Sequence, residues 1–102
     1  MIPSLLNIIG KQVEVVVQEE LEGALGESYV EQDRILIRAG QKKFNEADTL
    51  IHECIHFIDE RFQTGLTERQ VYCITVGLLN LIKDNPSLLE YVTDVVKYKR
   101  EI

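Results

Sequence analysis

The chain has 102 residues and a mass of 11.7 kDa, room for one domain (1–102) around one core. Hydrophobic residues make up 45% and charged ones 27%, which excludes a disordered chain, and no apolar run is long enough to span a membrane. The formal charge of -6 argues against a nucleic-acid partner held by bulk electrostatics.

The first ten residues, MIPSLLNIIG, lack the basic region and small-residue cleavage site of a signal peptide. A cytoplasmic setting is therefore expected, with Cys54 and Cys73 as reduced thiols. Leu5 to Ile9 is a short apolar run, and Gln12 to Gln18 is rich in valine. Gly10-Lys11 between them reads as the two-residue turn of a hairpin. Glu19 to Gly26 reads as a turn or short helical loop. Glu27 to Gln32 and Arg34 to Arg38 predict a second hairpin. Ile35 and Ile37 alternate with Arg34, Leu36 and Arg38, a period of two that fits a sheet with one polar face. The arginines at both ends suit an edge strand.

Ala39 to Phe44 is a connector carrying Lys42-Lys43, one of two compact basic clusters beside Lys97-Lys99-Arg100. Asn45 is placed to cap a helix whose first turn holds Glu46 and Asp48. Ala47, Leu50, Ile51, Cys54, Phe57, Ile58 and Phe62 share one helical face, and the helix is expected to end near Gln63, before Gly65. Thr67 and Gln70 have the capping-box spacing. The helix that follows is apolar nearly all round, which predicts burial in the middle of the domain. Asn85-Pro86 restarts the chain with proline at the first helical position. Leu88, Leu89, Val92, Val95 and Val96 stripe the last helix. Such a stripe ordinarily packs on its own domain. Here it exceeds what a terminal helix needs and leaves pairing with another copy, a homo-oligomer, open. The sum is an α+β domain: a small, mostly antiparallel sheet of N-terminal hairpins followed by three helices.

His52-Glu53-Cys54-Ile55-His56 is H-E-x-x-H inside the first long helix, and it holds both histidines of the chain. Residues i and i+4 lie one turn apart on the same face, so two imidazoles reach one metal ion. Glu53 is turned about 100° around the axis, where a carboxylate reaches a water on that metal without being a ligand. The metal lowers the water's pKa, and Glu53 takes its proton as the water attacks a carbonyl. The ordinary alternatives are a solvated helix face that carries two histidines, or a site retained without activity.

A catalytic zinc needs a third protein ligand and one open position. Phe62 stands where a longer motif has its third histidine. A downstream carboxylate remains, and Glu68, in the first turn of the next helix, is the natural candidate. Gly65 lets the chain reverse between the two helices. Asp59 is the rival, three residues past His56 on the same face. It either orients a histidine from behind or coordinates directly, for which it is nearly collinear with the histidines. Tyr72, one turn after Glu68, is placed to approach the site. Tyr29, Arg38, Tyr91 and Tyr98 are not separable from it as oxyanion stabilisers. Cys54 and Cys73 read as packing and Glu60 as part of a solvated face. If Arg34 to Arg38 is the edge beside the cleft, it offers an extended peptide a strand to pair with.

The stretch from Leu50 to Pro86, LIHECIHFIDERFQTGLTERQVYCITVGLLNLIKDNP, resembles the small phage-type and prophage-type HExxH proteins. These carry a leucine before HExxH, an acidic residue three after it, a short turn, L-[TS]-E, and a helix ending in D-N-P. They are described as zinc metallopeptidases related to the ImmA/IrrE-like and minimal gluzincin-type zincins. The resemblance covers about a third of the chain closely. It implies a zincin-like fold with Zn2+ as cofactor, His52 and His56 as zinc ligands, Glu53 as general base and Glu68 as the glutamate ligand. It departs at Arg69 and Tyr72, where related chains often carry acidic residues. It also implies a peptide or protein substrate, in the cytoplasm of a bacterial host. The competing reading is a catalytically inactive zincin-like module that regulates a partner by docking and holds a structural or vestigial metal.

Overall fold

The computed structural model describes residues 1–98. Strands β1 (Leu5–Ile8) and β2 (Lys11–Gln18) form the first hairpin. Its turn is Ile9-Gly10, one residue earlier than expected, because both residues take positive φ, 49° and 83°. This primed-turn backbone matches the twist of the strands, and Asn7 Oδ1 accepts from the Gly10 N–H at 3.1 Å.

Strands β3 (Gly26–Tyr29) and β4 (Arg34–Arg38) form the second hairpin. A 3₁₀ turn over Val30–Gln32 takes the place of the end of the expected strand. The sheet is mixed, in the order β1-β2-β4-β3. Both hairpin pairings are antiparallel, while β2 and β4 run parallel with Val15 opposite Ile35 and Val17 opposite Ile37. Strand β4 is therefore interior rather than the expected edge, with β2 on one side and β3 on the other. Arg34 instead pairs with Glu14 of β2, Nε to Oε1 at 3.2 Å. The edges are β1 and β3.

Alternation along β2 and β4 sends Val13, Val15, Ile35 and Ile37 to one face, where they are almost fully buried. Helix α1 (Lys43–Phe62) covers that face and adds Phe57, with Leu50 and Cys54 packed alongside. It starts two residues before the expected cap. Lys42 takes the cap position, and Asn45 sits inside the first turn, its carbonyl accepting from the Thr49 hydroxyl.

Helix α2 (Glu68–Asp84) packs on α1, and helix α3 (Pro86–Tyr98) packs on α2. Thr67 caps α2 with both bonds of the capping box: Gln70 N–H donates to Thr67 Oγ1 at 3.1 Å, and Thr67 N–H to Gln70 Oε1 at 2.8 Å. Pro86 opens α3 as expected. The expectation that α2 is buried in the middle of the domain is overturned: Val71 and Thr75 are its buried residues, and Ile74, Leu78 and Leu81 face outward. The reason is topological. Helix α1 already occupies the apolar sheet face, so α2 forms an outer layer. Cys73 is exposed for the same reason, and both cysteines are free thiols. Among the described residues no helix is long and apolar enough to cross a membrane. The Tyr98 side chain, with Lys99 and Arg100, lies outside what is described.

Candidate metal centre

Successive residues of α1 turn by about 100°, so the helix meets several surroundings at once. Thr49, Glu53 and Phe57, four apart, form the stripe that the sheet covers. Ile55 is buried on the side away from the sheet. His52 and His56 lie between these two sides, part-exposed, their rings 5.0 Å apart edge to face. Ala47, Ile58 and Phe62, expected on the packed face, are exposed instead.

The third member comes from the start of α2. Glu68 Oε2 lies 3.1 Å from His52 Nε2, and Glu68 Oε1 lies 2.9 Å from His56 Nε2. The three ligand atoms fall within 4.8 Å of one another, a group that could hold a metal ion. Two ligands on one tetrahedral ion, each about 2.0–2.1 Å from it, sit about 3.3 Å apart. The two carboxylate–imidazole spacings are close to that, and the donor set suits a cation. Burial raises the Glu68 pKa, but the hydrogen bonds and charge of His52 and His56 more than offset this, and the pKa is lowered. A cation would replace the protons in these contacts.

The turn between the helices sets where Glu68 points. Gln63 and Gly65 both take left-handed backbone, with φ of 51° and 71°. Asp59, at the end of α1, accepts from the Leu66 N–H at 3.0 Å and from the Thr64 hydroxyl. These bonds, the Leu66 one first, hold its carboxyl below the ordinary carboxylate range. Asp59 is thus placed in the turn and outside the three-ligand group, rather than as third ligand or as a direct partner of a histidine. The Tyr72 side chain is 57% exposed one turn beyond Glu68 and does not line the pocket described next.

Glu53 is only 7% exposed and lies on the sheet side of the histidines. Burial raises its pKa; His52, a bond from Ser28 and His56 offset this in part, and Glu68 adds to the rise. Gly26 of β3 lies directly against it. A Cβ there would sit 2.5 Å from Thr49 Cγ2 and 3.2 Å from Glu53 Oε2. A pocket of about 250 Å³ opens here, lined by Leu25, Gly26, Asp48, Thr49, His52, Glu53 and Glu68. Sequence reasoning missed Gly26, Ser28 and Thr49. Their roles come from the packing of β3 against α1, for which the sequence carries no local signal. Cys54 flanks the core as expected, and burial pushes its thiol up to about 11. Comparison with protein-family models, curated proteins and solved structures finds no match to this chain.

Two predictions follow from this geometry. Asp59→Ala leaves all three ligands in place but loosens the turn that aims Glu68. Zinc titration against a chromophoric chelator should show affinity lowered by about 10–100-fold, and Glu68→Ala should lose more. An Asp59→Ala protein with unchanged affinity would remove Asp59 from the site. Second, the raised pKa of Glu53 favours folding while the carboxyl is protonated, and that contribution is lost as pH rises through the raised value. In chelator, Glu53→Gln should therefore melt higher than the parent protein at pH 7. The two melting curves should converge as the pH falls below the ordinary carboxylate range.

Proposed function

We propose that this chain is a zinc-dependent metallopeptidase that hydrolyses peptide bonds. The observation that carries this reading is a three-ligand group beside a buried carboxylate, Glu53, that is not part of it. Two imidazoles and one carboxylate suit zinc, and three protein ligands leave a coordination position for water or substrate. A metal held by His52, His56 and Glu68 would lower the pKa of a water and polarise the carbonyl of the scissile bond. Glu53, its proton affinity raised by burial, takes the proton of the attacking water and delivers it to the departing amine.

The substrate is an extended peptide. Strand β3 is the edge of the sheet beside the pocket, and Gly26 keeps its first residue close to Glu53. A peptide pairing with that edge lies across the histidines. This role passes to β3 because β4 is interior. The likeness of Leu50 to Pro86 to HExxH proteins of phage and prophage suggests a protein substrate in a bacterial cytoplasm. An inactive module with a structural metal fits less well. Such sites are closed by four protein ligands, and among the described residues the group has three.

The test uses the zinc-loaded chain and a mixed peptide library read by mass spectrometry. Cleavage should require zinc. Glu53→Gln should keep the metal and lose about 100-fold or more of the rate. Equal cleavage by Glu53→Gln would contradict the role given to Glu53.

A further inference from the structure

Outside the candidate metal centre, an exposed apolar surface on α2 and α3 has no partner among the described residues. Helix α3 reaches the rest of the chain chiefly through α2. Its stripe of Leu88, Leu89, Val92, Val95 and Val96 has the spacing of a helix that packs along its whole length. Each of these side chains is nonetheless 36% to 50% exposed. On α2 the row Ile74, Leu78 and Leu81 is 41% to 48% exposed. Together these aliphatic side chains present on the order of 600 Å² of apolar surface, the top of the range for a monomer. A standard interface takes about 800 Å² from each partner, and in homodimers about two-thirds of it is apolar. The exposed area matches that requirement.

We propose that a second copy of this chain covers this surface, docked about a two-fold axis through α3. The stripe is self-complementary, as a two-fold contact demands. With two α3 helices antiparallel and Val92 on the axis, Leu88 meets Val96 of the second copy and Leu89 meets its Val95. A larger side chain then faces a smaller one along the seam. Glu90, Asp94 and Lys97 fall on the opposite side of the helix and stay in water. The two carboxylates on that side also disfavour an anionic membrane surface as the occupant, since helices that lie on one carry a basic polar face. The surface shares no residue with the three-ligand group or with the pocket beside it. The proposal stands whether or not the chain is a peptidase.

Sedimentation equilibrium of the full chain tests it. The expected mass is twice 11.7 kDa at micromolar concentration. Val92→Glu, which sets two carboxylates against each other on the axis, should return the protein to 11.7 kDa with its helical circular dichroism and zinc uptake unchanged. Should that variant misfold, Val92→Thr is nearly isosteric and should raise the dissociation constant about tenfold by removing one buried methyl from each copy. A monomeric parent protein overturns the proposal, including one that binds lipid vesicles through α3. So does a dimer that both substitutions leave equally tight.

Discussion

Everything in the metal centre depends on how α1 is seated against the sheet. Thr49, Glu53 and Phe57 are fixed beneath β3 and β4 by the same packing that buries Ile35 and Ile37. A helix held along one stripe has no freedom to rotate, so His52 and His56 are fixed as well, a fraction of a turn away. The histidines take their rigidity from the core rather than from contacts of their own. Glu68 takes its position from a second, smaller device, the Asp59 carboxylate that gathers the Thr64–Leu66 turn, together with the capping box at Thr67. The resulting cluster rests on two rigid helices and one short turn, the arrangement that holds a metal site to within a fraction of an ångström.

The same seating imposes a local conflict. The stripe that should be wholly apolar carries a carboxylate at its centre, and burial raises the pKa of Glu53. An ordinary core position would hold leucine or alanine there. Gly26 accommodates the carboxylate by making room for it, and Ser28 offsets part of the rise. Local rules are broken in this way where chemistry needs a group the core would not choose. Helix α2 shows a different exception. Its apolar residues are more than its one inner neighbour covers, and Ile74, Leu78 and Leu81 face outward.

Features set by neighbours along the chain were legible in the sequence. The i, i+4 histidines, the Thr67–Gln70 box, Pro86 at a helix start and the Ile35–Ile37 alternation all stand as read. The position of Glu68 followed from elimination among few carboxylates and from a turn short enough to bring it back. Features set by distant segments were not legible. The parallel pairing of β2 with β4 has no local signature, so the arginines of β4 suggest an edge where the fold places an interior strand. The apolar girdle of α2 suggests a buried helix, but the fold leaves it as an outer layer because α1 already covers the sheet. Ile9 takes a left-handed backbone that β-branched residues rarely adopt, which moved the first turn back from Gly10-Lys11. Asp59 looked like a ligand or a histidine's partner from its spacing. Its actual bonds run to the turn, whose shape the sequence left open.

X-ray absorption at the zinc edge, on the protein loaded with one equivalent of zinc, addresses the centre most directly. A centre of His52, His56 and Glu68 gives a nitrogen and oxygen shell at about 2.0–2.1 Å, with outer-shell scattering from two imidazoles and no sulfur. A sulfur shell at about 2.3 Å, or scattering from one imidazole or from four, would contradict that centre.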